Sequence, residues 1–450
     1  MNNLNVATAR EVALNVLTKV LQQKSYSNIQ LNFSLNNSTL DERDKALVTQ
    51  LVYGTIQYKL FLEYQIKHLL RAKPKESFVV PLLLMSVYQL QFLDKIPDHA
   101  VLNSANELAK KRSSHGAYKL VNGILRNVQR QGPLLPAVGQ TAEYLSIKES
   151  MPEWLVKYLS DKFGNSKTAR ILQSLNTVSH NSVRVNTKKT TVQAAKEELH
   201  DQGFDVTVSP LRGENILLSH GGVAATNLFR DGQITIQDEA SSVVVDALHV
   251  EPGDIVLDAC AAPGGKTMQI AELLDQNVGK VTALDLHEKK LALIENNAKR
   301  LELTDLITVQ AMDARNVASE FGPQKFDKIL VDAPCSGLGL LRRKPEIRYE
   351  KTFTDIINLS KIQLAILESV AQSLKIGGRI VYSTCTITPE ENEEVVARFI
   401  AAHPEFFVEQ IKLPSFDSVK TEVGTDLTVR IFPDDYQTDG FSITSLRLRG

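Results

Sequence analysis

Three cysteines, Cys260, Cys335 and Cys385, lie 75 and 50 residues apart in a chain of 450. Each closes a similar phrase: Asp258-Ala259-Cys260, Asp332-Ala333-Pro334-Cys335 and Ser383-Thr384-Cys385. The spacing gives no Cys-x-x-Cys pair or Cys/His cluster, so no zinc site and no other metal site is expected. An odd and sparse set is not a disulfide framework. A free thiol near a carboxylate is suited to covalent catalysis, since its thiolate is a strong nucleophile. Asp258, Asp285, Asp313 and Asp332 are the matching carboxylates, able to hold hydroxyls, balance a cation or move a proton.

The stretch 254–267, Asp-Ile-Val-Leu-Asp-Ala-Cys-Ala-Ala-Pro-Gly-Gly-Lys-Thr, reads as a strand, a tight glycine turn and a helix start. Such a turn lies at the carboxyl end of a strand, where open α/β sheets bind ligands. A phosphate loop would need glycine where Cys260 stands, and Gly-x-Gly-x-x-Gly is absent. Asp285, at the end of the next strand, is 21 positions after Gly264. That is the spacing of an acid holding a ribose hydroxyl pair. The loop therefore reads as a nucleoside site without a phosphate requirement.

From 241 to the end, strands and helices alternate. Strands are expected at Asp254–Cys260, Val281–Leu286, Ile307–Met312, Phe326–Asp332, Arg379–Thr384 and Phe441–Leu448. Helices are expected at Gly265–Leu274, Glu288–Leu301, Thr354–Leu374 and Glu390–Ala401. This predicts a mostly parallel, doubly wound α/β domain over 241–450. Residues 1–131 show only helical periodicity, as in Val12, Ala13, Val16, Leu17 and Val20, and six helices are expected there. Residues 132–150, opening on Gly132-Pro133, read as a linker. Residues 151–240 read as a small α/β module whose basic residues, Arg184, Lys188, Lys189 and Arg230, make it a candidate RNA-contact surface.

Read together, the strand ends gather four carboxylates and three thiols at one cleft. The sheet and nucleoside loop suit S-adenosylmethionine: Asp285 for the ribose, Asp313 or its backbone for the adenine amino group, Asp258 or Asp332 for the sulfonium. Thiols sharpen the reading. A thiolate adding at cytosine C6 makes C5 nucleophilic toward a methyl donor, and an acid at N3, here Asp332 if protonated or bridged, would drain charge from the ring. These residues do not rank Cys335 against Cys385 as the nucleophile.

At Asp258–Thr267, Asp332–Gly337 and Ser383–Thr386 the chain resembles the RNA cytosine-5 methyltransferases of the Sun/RsmB (Fmu) type. The front resembles the RNA-binding factor NusB, at Ala13–Leu17, Asp44–Val48, Leu51–Thr55, His99–Val101 and Val121–Arg126. The resemblance spans nearly the whole chain. It implies a class I (Rossmann-like) S-adenosylmethionine-dependent methyltransferase domain preceded by an all-α NusB-like domain and the small α/β module. It makes Cys385 the nucleophile and Cys335 the group that assists product release. It assigns donor contacts to Cys260, Ala261, Ala262, Pro263, Gly264, Gly265 and Lys266, and to Asp285, Asp313 and Asp332. The substrate it implies is one cytosine of small-subunit (16S) ribosomal RNA, methylated before assembly hides it. The last motif departs from the usual Asp-Gly-Phe-Phe: Asp439-Gly440-Phe441 is followed by Ser442.

Composition agrees with that class. The chain is 43% hydrophobic and 23% charged, with net charge −1. Residues 1–131 hold 17 Lys+Arg against 9 Asp+Glu, and the remaining 319 hold 34 against 43. A basic front on an acidic body suits a polyanion partner, with Lys110, Lys111, Arg112, Lys119, Arg126 and Arg130 as phosphate contacts. No apolar run approaches the ~18 residues of a membrane span, and Met1–Arg10 has no signal pattern. A cytoplasmic monomer with no DNA or membrane partner is expected. The competing readings are a tRNA cytosine-5 methyltransferase, a non-catalytic RNA-binding ribosome assembly factor, and a nucleotide hydrolase, the last opposed by Cys260 in place of glycine.

Overall fold

The computed structural model describes residues 7–23, 27–113, 116–137, 139, 141–219, 221–411 and 427–450. The extreme start of the chain, 1–6, lies outside the described residues. Two compact units form, 1–176 with 344–350, and 177–343 with 351–450.

The first unit is helical. Among the described residues its first 131 positions hold seven helices, from Ala9–Gln23 to Ala117–Gln131. The helix absent from the sequence reading is Ser27–Asn36. It buries only Ser27 and Leu31, while Ile29 and Phe33 stay exposed, so it carries no apolar stripe to read. Val79–Phe92 is the central helix. Leu82, Leu83, Leu84, Met85 and Val87 are all buried, which explains a run apolar on every side. Residues 132–150 are more than a linker. Thr141 caps the helix Ala142–Lys148, and Leu145 and Ser146 are buried. The next helix, Glu153–Ser174, is interrupted at Gly164. Of the basic residues expected to meet phosphate, Lys110, Lys111, Lys119, Arg126 and Arg130 are exposed. Lys111 is also paired with Glu11 at 3.0 Å.

The segment Lys344–Glu350 belongs to this helical unit. Arg348 is fully buried there, donating to the carbonyls of Gln57 (3.1 Å) and Ser150 (3.3 Å) and to Asn176 Oδ1 (3.1 Å). Ser27 Oγ donates to Glu346 Oε1 at 2.7 Å.

The second unit contains two sheets. The smaller has four strands, β1 (Asn181–Val185), β2 (Val206–Val208), β3 (Asn215–Leu218) and β4 (Ile234–Ile236), in the antiparallel order β2-β3-β1-β4. Arg184, expected as an RNA contact, is 3% exposed and forms a buried fork with Glu272 (Nη2 to Oε1, 3.2 Å). Its charge is spent holding this sheet to the helix Gly265–Leu273. Lys188 likewise reaches the Leu274 carbonyl (3.3 Å) and Lys189 reaches Glu302 (3.3 Å).

The large sheet has eight strands: β5 (Ile255–Asp258), β6 (Lys280–Asp285), β7 (Ile307–Ala311), β8 (Phe326–Asp332), β9 (Leu374–Thr384), β10 (Phe406–Glu409), β11 (Val429–Ile431) and β12 (Phe441–Leu448). The path runs β10-β12-β9-β8-β5-β6-β7, with β11 on β12. Strands β5 to β9 pair in parallel, whereas β10, β11 and β12 are antiparallel. The two short strands β10 and β11 were not expected from sequence. After β7 the chain returns to the other side of β5, so the strand order reverses between β5 and β8. That switch point puts a crevice at the carboxyl ends of these strands. The β5 strand stops at Asp258, two residues earlier than expected, because the chain turns there toward the glycine loop.

Candidate active site

The loop after β5 is tied at both ends. Ala261 N donates to the Leu284 carbonyl (2.7 Å), and Gly264 N to the Ala261 carbonyl (2.7 Å). Gly264 has φ +105°, and a Cβ there would lie 3.2 Å from Ile294 Cα, so no other residue fits comfortably. The helix Gly265–Leu273 begins immediately after it. Asp285 accepts from Ala262 N (3.3 Å) and His287 N (2.9 Å), which aligns its carboxylate with this loop. Asp313 follows β7, but Arg315 grips its carboxylate from Nε and Nη2 at 3.0 and 2.5 Å. That pairing holds Asp313 below the usual carboxylate range. Its side chain is thus committed to Arg315.

Asp258 is 1% exposed and accepts from Thr267 Oγ1 at 2.7 Å on Oδ2, while Oδ1 has no hydrogen-bond partner. Burial pushes its carboxyl up to about 7. A carboxyl raised this way stabilises the fold while protonated, and that contribution is lost as pH rises from its ordinary 3.8 through about 7. Asp258→Asn does not titrate and can still accept from Thr267. Urea melts of the unliganded proteins should therefore favour the variant over wild type by about 2 kcal/mol more near pH 8 than near pH 5. A gap that does not change with pH would mean that Asp258 carries no proton at pH 5.

Cys260 packs against the core beside Leu257 and Ala259. Burial and the nearby Asp258 carboxylate push its thiol well up. It does not join the other two cysteines as a reactive group. Those two meet: Cys335 Sγ and Cys385 Sγ are 3.1 Å apart, at the ends of neighbouring strands β8 and β9, where Asp332 pairs in register with Ser383. Contact with Cys385, and then burial, push the Cys335 thiol up. Asp332 accepts from Lys266 Nζ (2.8 Å) and Ser383 Oγ (2.8 Å). It is therefore bridged, not a lone acid, and Lys266 is the cation that bridges it. Lys266 also sits 5.1 Å from the centre of the Phe441 ring.

Three features escaped the sequence reading. The sequence places Lys266 only in the expected donor loop, and its pairing with Asp332 joins residues 66 positions apart. Arg343 bridges Asp238 (2.8 Å) and Asp439 (2.9 Å), and burial pushes the Asp439 carboxyl up to about 7. Gly339 N donates to the Cys385 carbonyl (3.0 Å) and Gly440 N to the Gly339 carbonyl (2.9 Å). A Cβ on Gly440 would lie 2.9 Å from Gly339 Cα and 2.8 Å from Ile387 Cγ2. The Asp439-Gly440 pair thus stitches the start of β12 to both cysteine loops. Ser442, the departure from the expected motif, is buried opposite Thr384.

Residues 245–447 match the family model described as 16S rRNA methyltransferase RsmB/F. The chain is 40% identical over 448 residues to the probable ribosomal RNA small subunit methyltransferase B of Bacillus subtilis, covering 98% of this chain and 99% of that one. The chain belongs to the RsmB/F methyltransferase family. An RsmB/F relative in Pseudomonas putida, ribosomal RNA small subunit methyltransferase B, is 34% identical over 88% of this chain and 89% of its own. The solved structure of PH0851 superposes with TM-score 0.82 at 26% identity, covering 97% of this chain and 98% of that one. Ahead of the RsmB/F region, residues 7–130 match the NusB family, and 151–224 match the ferredoxin-like domain of RsmF/B-like methyltransferases. The expected architecture is therefore the observed one: a NusB domain, a small α/β module and a class I methyltransferase fold. Among the described residues no His, Cys, Asp and Glu group could hold a metal, and no helix is long and apolar enough to cross a membrane.

Proposed function

We propose that this RsmB/F chain methylates C5 of one cytosine in small-subunit ribosomal RNA, using S-adenosyl-L-methionine and a transient bond between Cys385 Sγ and cytosine C6. The observation that carries this reading is the Cys335–Cys385 contact at 3.1 Å, on strands adjoining the Lys266–Asp332 pair at 2.8 Å. A nucleophile, a second thiol and a proton-donating ion pair are what C5 methylation of cytosine needs.

The donor-site residues fit a cationic nucleoside. Asp258 Oδ1 is a buried carboxylate oxygen with no partner, suited to a sulfonium or ammonium charge. Asp285, held by two backbone N–H groups, suits a ribose hydroxyl pair. The loop from Cys260 to Lys266 would wrap the donor, with contact to Asp313 left to its backbone, since Arg315 occupies its carboxylate. When bound, the donor supplies an electrophilic methyl group.

The chain's own residues then act in order. Cys385 thiolate adds to C6, and the electron pair moves toward N3 and O2, where Lys266, oriented by Asp332, stabilises the charge. The C6 adduct makes C5 an enamine carbon. Once C5 carries the methyl group, its proton must leave and the C6–S bond must break. Cys335, 3.1 Å from Cys385 Sγ, is placed to give its thiol proton to the departing sulfur, while the C5 proton passes to solvent. The cytosine must first leave its stack, which costs a few kcal/mol and less in a loop. The NusB-like helices, with exposed Lys119, Arg126 and Arg130, would position the RNA through its phosphates. On this reading the chain acts in the cytoplasm, on RNA whose assembly is not yet complete.

The test is methyl transfer from labelled S-adenosylmethionine to unmodified small-subunit rRNA and to a tRNA pool, followed by bisulfite mapping. One 5-methylcytosine in the rRNA is the expected result. Label in tRNA alone would move the substrate, and no label in either would favour a binding factor.

A further inference from the structure

The turn Pro389–Glu391 and the residue after it hold a buried polar cluster that the reaction scheme does not use. Glu391 is fully buried. Its carboxylate accepts four hydrogen bonds: from Ser336 N (2.7 Å) and Gln363 Nε2 (3.1 Å) on Oε1, and from Ser336 Oγ (2.6 Å) and Thr388 Oγ1 (2.7 Å) on Oε2. All four donors are neutral, so the charge is solvated by the protein but not cancelled. Gln363 Nε2 also donates to the Pro334 carbonyl at 2.9 Å. Both neighbours of Cys335 are thereby clamped to Glu391.

Asn392 does the same for Cys385. Its Oδ1 accepts from Thr384 Oγ1 (2.6 Å), and its Nδ2 donates to the carbonyls of Thr386 (3.2 Å) and Thr388 (2.8 Å). Two consecutive side chains thus set the separation of two sulfurs that come from loops 50 residues apart. The clamp is asymmetric, because its one carboxylate takes Ser336, next to Cys335, on both oxygens, and meets the Cys385 loop through Thr388 and, by way of Ser336 Oγ, Thr386 Oγ1 (2.8 Å). In any S–H···S contact one thiol donates and the other accepts, and negative charge is best held on the acceptor.

We propose that Glu391 is a positioning residue that assigns the two thiols their roles: it locks the Cys335 loop against Cys385 and holds a negative charge on the Cys335 side, so that Cys335 keeps its proton and Cys385 is the sulfur that carries charge. This rests on the reading above, in which Cys385 is the nucleophile. The other groups that act on Cys335 are Cys385 itself and Asp332 with its partner Lys266, and across β9 the Tyr382 hydroxyl, which donates to the Glu391 carbonyl at 2.5 Å. None of these changes when Glu391 is replaced.

Glu391→Gln removes the charge and keeps the contacts, since the amide oxygen can accept from Ser336 N and Gln363 while the amide nitrogen donates to the two hydroxyls. The experiment uses the full chain with both cysteines intact. Iodoacetamide labelling across a pH series is read peptide by peptide, alongside thermal melting and the capture of protein–RNA adducts on 5-fluorocytosine RNA. In E391Q the Cys335 labelling profile should move toward acid by about one pH unit or more, with melting near wild type. Part of the RNA adduct should appear on Cys335. Glu391→Asp keeps the charge but shortens the reach, so it should melt lower while its Cys335 profile stays at the wild-type position. An unshifted profile in E391Q, or an equal shift in E391D, overturns the proposal. Retention of the adduct by Cys385→Ala overturns instead the assignment of the nucleophile, whatever E391Q does, so the two failures are distinguishable.

Discussion

Cys385→Ala is expected to abolish both methyl transfer and the covalent protein–RNA adduct. Alanine removes the only atom proposed to bond to C6, and without that bond C5 of cytosine is too weak a nucleophile to attack a methyl group. Loss of a covalent nucleophile of this kind costs at least about ten-thousand-fold in turnover. The variant should fold, because the loop is held by groups other than the sulfur. Asn392 grips Thr384 Oγ1 (2.6 Å) and the Thr386 carbonyl (3.2 Å), and the Cys385 carbonyl accepts from Gly339 N (3.0 Å). Single-turnover transfer from labelled donor and gel retardation of the denatured adduct check this directly. Transfer within tenfold of wild type would sink the covalent scheme.

Cys335→Ala should fail differently. The adduct should still form, because Cys385, Lys266 and Asp332 are untouched, but it should persist. Release needs the C5 proton removed and the C6–S bond broken, and the thiol 3.1 Å from Cys385 Sγ is the group in place to help. Losing an acid–base group of this sort costs roughly 10²–10⁴-fold, so multiple turnover should collapse while the first methyl transfer survives. The observable is a stable, denaturation-resistant protein–RNA band in the absence of any fluorinated base. If Cys335→Ala lost the adduct and Cys385→Ala kept it, the two roles would be reversed.

Much of the catalytic domain was legible because its strands are short apolar runs that end in chemistry-bearing residues. β8 (Phe326–Asp332) and β12 (Phe441–Leu448) have the expected bounds, as does the helix Glu288–Leu301. Legibility failed where an element is held by something other than its own pattern. Ser27–Asn36 buries almost no apolar surface, and its Ser27 is held by Glu346, 319 residues away. Arg184 looks like any basic residue in an RNA-binding protein until Glu272 is found against it. Charge type is visible in a sequence; the partner that neutralises it is not.

The same division runs through the site. Local spacing alone marked out the proposed donor loop, since Gly264, Asp258 and Asp285 all lie within one strand–turn–helix unit and its neighbour. Family resemblance, not spacing, ranked Cys385 above Cys335. Only the tertiary structure decided which groups touch. It brought Cys335 and Cys385 together while leaving Cys260 packed against the core, and it gave Asp332 to Lys266. Glu391 came to lie against the Pro334–Ser336 loop, bonded to Ser336 at 2.7 and 2.6 Å, a contact across 55 positions. Parallel strands explain why: the carboxyl ends of β8 and β9 lie side by side, with Asp332 and Ser383 in register though 51 positions apart, so the neighbours across that edge are set by strand order and register and leave no periodic trace.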